Sequence, residues 1–188
     1  MLSRNTDLVP DKKRKTSLKK IILGIVLGFF LGQGTAFLIH KIWIFPFLIE
    51  NESMEPHFKY GQEIYIHRFF SFEKVQKGDI LFITHPSSTD WHMLRRVVAL
   101  PGDTVELKNH ELYINGQKFQ KDFEISLQRY RKNIEPDHYT DFSDHANMPE
   151  ITLARNQLFV MADNRRISLD SRHFGPISSE NILGMVKK

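Results

Sequence analysis

Ser53, in the stretch "NESMEPHF", carries a hydroxyl that becomes a nucleophile only where a base can take its proton. Alone, a Ser-Met-x-Pro stretch says little, because most such serines simply cap turns. Three further stretches follow in order: "KGDILFITHP" (77–86), "RRVVALPGD" (95–103) and "MADNRRISLDSRHFG" (161–175). The second opens with two arginines, Arg95 and Arg96. Alternation on a strand puts Arg95, Val97 and Ala99 on one face and Arg96, Val98 and Leu100 on the other. Both faces turn apolar after the first pair, so at least one guanidinium leads into a packed interior at the mouth of the strand. Arginine stays protonated in proteins and has no lone pair with which to accept a serine proton.

The elements that must position these groups read as β. Short runs such as "EIYIHRF", "DILFITH", "RRVVAL", "TVELKN", "ELYING", "NQLFVMA" and "GMVKK" alternate or cluster β-formers. Between them "KYGQ", "QKGD", "LPGD" and "INGQ" supply turn glycines. "VELKNHELYINGQKF" predicts a hairpin turning near Asn109–His110, with "ING" closing the next turn. From 121 to 150 the pattern fails and the chain is polar. Asp137–His138 and Asp144–His145 there match no compact set of metal ligands, so the stretch reads as a solvated, variable insertion. No metal or organic cofactor is implied. The chain has no cysteine, which excludes disulfides and Cys-ligated zinc.

Charge is unevenly spread. Residues 1–20 hold seven Lys/Arg against Asp7 and Asp11, whereas the remainder carries 19 basic and 20 acidic groups. A basic tail on a near-neutral body does not fit a nucleic-acid binder, whose positive charge lies on the folded surface. After the tail, 21–39 ("IILGIVLGFFLGQGTAFLI") is uncharged and, as a helix of about 28 Å, matches the hydrocarbon thickness of a bilayer. The basic flank keeps the tail cytoplasmic and sends the body (40–188) across. A cleaved signal peptide with "GTA" (34–36) at its cleavage site is the alternative, but the apolar run continues through "FLIHKIWIFPFLI", as a retained anchor does. Gly24, Gly28 and Gly32 share one helical face, a pattern for weak helix self-association. Trp43, Phe45 and Phe47, around Pro46, suit either the membrane interface or a first strand packed on the core.

The anchor and the four ordered stretches together resemble the type I signal peptidases, membrane-anchored serine proteases that remove signal peptides from exported proteins. The resemblance implies a mostly β fold of antiparallel sheets with one N-terminal transmembrane helix, and a site beside a bacterial-type cytoplasmic membrane. It implies Ser53 as nucleophile, with its backbone N–H and the Asn51 amide stabilising the oxyanion. Ser168 matches the serine that orients the catalytic lysine. Arg96, Asp163, Arg165, Asp170 and Arg172 match charged positions that brace the site, although for Asp170–Arg172 a purely structural pair is the favoured reading. Signal peptides of exported precursors and the lipid bilayer are the implied partners.

One residue departs from that pattern. The family keeps a general-base lysine immediately before the arginine of "RVVALPGD", and here Arg95 stands in its place. Burial can depress a lysine pKa towards neutrality, whereas arginine keeps its proton. His92 and His57 need a bulge or a shifted register to substitute, Lys59 falls outside the motif, and Glu52 and Glu55 offer only adjacency. Three functions follow: a working signal peptidase with an altered dyad; a peptidase-like protein with weak or no cleavage that binds exported chains or assists assembly; and a self-cleaving regulator, which the export anchor opposes.

Overall fold

The computed structural model describes residues 18–120, 146–165 and 167–186, with 36–42 described by their backbone alone. The two acid–histidine pairs of the polar stretch lie outside the described residues, as do Arg166 and the first 17 residues. Two compact units meet at Lys41 and Ile42.

The first unit holds helix α1 (Leu18–Trp43), which contains the whole apolar run. Its window Leu18–Thr35 is long and apolar enough to cross a membrane. The helix outruns the expected 21–39 at both ends because Lys19, Lys20, His40 and Lys41 cost little helix propensity. Open space surrounds the position a Cβ would take at Gly24, Gly28 and Gly32.

In the second unit the strands are β1 (Ile44–Leu48), β2 (Glu63–His67), β3 (Ile80–His85), β4 (Ser88–Ala99), β5 (Thr104–Lys108), β6 (Glu111–Ile114), β7 (Gln117–Lys118), β8 (Met148–Thr152), β9 (Gln157–Met161), β10 (Ile177–Ser178) and β11 (Ile182–Val186). A short helix, α2 (Ser171–Phe174), precedes β10. They form a seven-stranded sheet in the order β1-β2-β11-β3-β4-β9-β10 and a four-stranded sheet in the order β7-β6-β5-β8. All strand pairings are antiparallel. Alternation on β3 sends Leu81 and Ile83 into one apolar cluster and Ile80 and Phe82 into another. Pro46, which has no N–H to donate, is tolerated because β1 lies at the sheet edge. Phe45 and Phe47 pack on the core around Phe82, which gives the β1 stretch its strand reading.

Both turns expected around β6 are present. Asn109 and His110 have φ of 50° and 64°, and Asn115 and Gly116 have φ of 52° and 73°. Positive φ at both central positions twists a two-residue turn to match its strands.

Three expectations need correction. Strand β4 begins at Ser88, so the two arginines sit in mid-strand between β3 and β9 and not at its mouth. Residues 88–92 are exposed and polar apart from Trp91, so no apolar alternation marks them. Secondly, the register of β4 on β9 shifts between Val97 and Ala99. This bulge puts Val98 and Ala99 together in one cluster and returns Leu100 to that of Val97, breaking strict alternation. Thirdly, β8 starts at Met148, inside the stretch where no strand pattern is visible. Its proline lies in the edge strand of the smaller sheet, and only Ile151 and Met148 pack inward.

Gly184 lies in β11, where a Cβ would stand 2.6 Å from Ile66 Cγ2 and 2.8 Å from the His67 carbonyl oxygen. Backbone cannot yield as a side chain can. Gly184→Ala is therefore expected to cost about 1–3 kcal/mol, read as a lowered melting temperature.

Candidate active site

Ser53 lies in the loop joining β1 to β2. The loop base is closed by Ile49 N–H donating to the Gln62 carbonyl (2.9 Å) and Gly61 N–H to the Ile49 carbonyl (2.8 Å). Met54 is 1% exposed and packs with Phe58, Ile64, Ile66, Phe82 and Leu94. Burying a methionine contributes about 1.5–3 kcal/mol, which anchors the loop one residue after the serine. Ser53 itself stays partly exposed. Its carbonyl accepts a 2.9 Å bond from the Asn164 backbone N–H, joining the serine loop to the loop after β9.

Arg95 reaches this serine from β4. Its Nη1 donates to Ser53 Oγ at 3.3 Å and to the Leu94 carbonyl at 2.5 Å, while Nε and Nη2 donate to the Leu169 carbonyl at 2.8 and 2.5 Å. The side chain is buried, 4% exposed, and among the described residues no carboxylate lies within ion-pair distance of it. Burial lowers its pKa to about 10, against the pull of Asp170, so the guanidinium remains a cation at neutral pH. Ser53 Oγ thus accepts a hydrogen bond from a buried cationic group.

The neighbouring charges are paired off. Arg96 grips Asp163 at two points, Nε to Oδ1 at 2.8 Å and Nη2 to Oδ2 at 2.5 Å, and its Nη1 donates to the Gly78 carbonyl. Asp170 is fully buried, takes Arg172 Nε and Nη2 at 2.8 and 3.0 Å, accepts the Ala162 N–H, and caps α2. Burial alone would raise the Asp170 carboxyl, but His173, Arg172 and the Ala162 N–H together hold it well below the usual carboxylate range. Arg172 also donates to the carbonyls of Arg165 and Ser168. Arg165 is buried. These contacts tie Ala162, Arg165 and Ser168 to the Asp170–Arg172 pair through their backbone groups.

Asn51 Oδ1 accepts the Ser53 N–H at 3.1 Å, so that backbone donor is engaged in a local turn. Among the described residues, the buried Ser168 hydroxyl and the buried Asn164 Nδ2 have no hydrogen-bond partner. Arg95 donates to the Leu169 carbonyl and not to the Ser168 hydroxyl. His92 lines a narrow pocket with Ser53, Phe47, Ile49, Met54 and Leu94, and stacks on Phe82. Neither His92 nor His57 hydrogen-bonds Ser53 among the described residues. Partial burial, then Arg96, push the His57 pKa down while Asp163 opposes them. The roles of Asn164, Leu94 and Leu169 have no signature in the sequence because they act through backbone atoms.

A family described as "Signal peptidase, peptidase S26" matches residues 21–188. The chain belongs to the type I signal peptidases. It is 32% identical to Signal peptidase I S of Bacillus subtilis (strain 168), over 94% of this chain and 92% of that one. It is 29% identical to Signal peptidase IB of Staphylococcus aureus (strain COL), over 90% and 89% respectively. A solved signal peptidase I from Enterococcus faecalis V583 is 27% identical, with a TM-score of 0.48 covering 62% of this chain and all of that one. In this signal peptidase the group in contact with the Ser53 hydroxyl is a guanidinium, a donor that is charged at neutral pH.

Proposed function

We propose that the protein removes signal peptides from exported precursors by attack of Ser53 Oγ on the scissile carbonyl, at a rate held down by Arg95. The contact of Arg95 Nη1 with Ser53 Oγ at 3.3 Å carries this reading. It aims the residue at the base position directly at the hydroxyl, yet that residue is almost wholly protonated at neutral pH and so seldom able to receive the proton. For the reaction to proceed, Asn51 Oδ1 must leave the Ser53 N–H so that this donor can meet the developing oxyanion. Asp163, Arg165, Asp170, Arg172 and Arg96 brace the loops that carry the reacting groups, and Ser168 keeps its orienting place without an amine to orient. A second reading, weak or absent cleavage with retained binding, is favoured by the same fixed charge.

The domain plan supporting this function is a basic cytoplasmic tail (1–20), an anchor (21–39) and a body across the membrane (40–188), with 121–150 as a variable insertion. The basic residues before the anchor support that direction. The open face of Gly24, Gly28 and Gly32 supports weak helix pairing.

The test is cleavage of a membrane-bound precursor as a function of pH, in wild type and Ser53→Ala. Cleavage that uses the neutral form of Arg95, with its pKa of about 10, rises about tenfold per pH unit between 7 and 9. Ser53→Ala removes it at every pH. A flat profile from pH 7 upwards assigns the proton transfer to another group. Cleavage that survives Ser53→Ala overturns the proposal.

A further inference from the structure

A buried cation needs an opposite charge or dense hydrogen bonding, because desolvation otherwise disfavours its charged form. Among the described residues, Arg95 has three contacts to carbonyls and one to a serine hydroxyl, but none to a carboxylate. The two nearest acids are committed elsewhere, Asp163 to Arg96 and Asp170 to Arg172. The site around Ser53 therefore has a surplus of buried positive charge at its serine.

The atoms facing that charge are also donors. Since Ser53 Oγ accepts from Arg95, its own hydrogen is free to point into the cleft. The Ser53 N–H already holds one amide oxygen, that of Asn51, at 3.1 Å. Asn164, whose backbone bonds Ser53, keeps a buried Nδ2 without a partner. Beside these donors is a narrow pocket whose apolar wall is Phe47, Ile49, Met54 and Leu94, with Glu50, Asn51 and His92 also lining it. Such a constellation suits a negatively charged oxygen pair on a group with a small apolar substituent.

We propose that this cleft is a receptor for the free C-terminal carboxylate of a peptide, the end left on a signal peptide once it has been cut, which it holds in preference to an uncut amide. One carboxylate oxygen takes the place of Ser53 Oγ on Arg95 Nη1 and accepts from the released Ser53 hydroxyl; the other displaces Asn51 Oδ1 from the Ser53 N–H. The last side chain of the peptide enters the pocket along its apolar wall. The choice of ligand rests on the signal-peptidase reading above, but the binding needs no cleavage. The cation beside Ser53 thus retains a cut end that a neutral amine would release.

The test uses the full chain in detergent and two fluorescent peptides of one sequence ending Ala-Ser-Ala, one with a free carboxylate and one amidated. The acid is expected to bind at least ~10-fold tighter at pH 7, the factor given by one charge-assisted hydrogen bond. The preference stays constant from pH 6 to 8, since neither the arginine nor the carboxylate titrates there. Arg95→Met abolishes it, with Arg95→Gln as a second variant should the first fail to fold. Equal binding of acid and amide by wild type overturns the proposal, as does a preference that survives loss of Arg95. Failure of the catalytic reading appears separately, as cleavage indifferent to Ser53.

Discussion

Arg95→Lys raises cleavage of a membrane-bound precursor by at least ~100-fold, the lower end of what a positioned general base contributes. The reasoning is local. A lysine amine at this position enters a buried site on the central strand β4, where burial lowers its pKa and favours the neutral form. It inherits the neighbourhood that Arg95 now fills, with the Leu169 carbonyl and Ser53 Oγ as partners. The unpartnered Ser168 hydroxyl gains an amine to hold. The neutral amine can accept the serine proton, whereas a group with a pKa of about 10 offers its neutral form to about one molecule in a thousand at pH 7. Ser53→Ala in the Arg95→Lys background cancels the gain in full. If wild type cleaves as fast as Arg95→Lys, and both depend on Ser53, the account of Arg95 as the rate-limiting substitution is wrong.

Asp170→Asn lowers folding stability by about 3–5 kcal/mol, because it leaves the buried Arg172 guanidinium without its counter-charge. The acid limb of stability changes with it. The Asp170 pKa is depressed in the folded protein, so its contribution is complete above the unfolded value near ~3.9 and is lost as pH falls below it. Wild type therefore loses stability below about pH 4 more steeply than Asp170→Asn. Denaturant melts of both proteins at pH 7 and pH 3 measure the two effects. Equal losses in the two proteins between those pH values would show that Asp170 is not held ionised by its partners.

Much of this arrangement is readable from residue types. Alternating β-formers between turn glycines mark most of the strands, and Asn109–His110 and Asn115–Gly116 mark their turns, because those signals are local. The bulge at Val97–Ala99 is not readable, since a run of apolar residues looks the same in either register. Strand β8 is hidden by a proline that only an edge position excuses. At the site, side chains such as Arg96 and Asp163 declare themselves by type. The Asn164 N–H on the Ser53 carbonyl and the Leu169 carbonyl under Arg95 do not, because any residue supplies the same backbone atoms.

Strand β11 lies between β2 and β3, although it follows both of them by roughly 100 residues of chain. As the polypeptide is made, β2 and β3 wait with one edge each unfilled, and the loop bearing Ser53 hangs from the first of them. The sheet beside the Ser53 loop is thus closed only by the last strand of the chain.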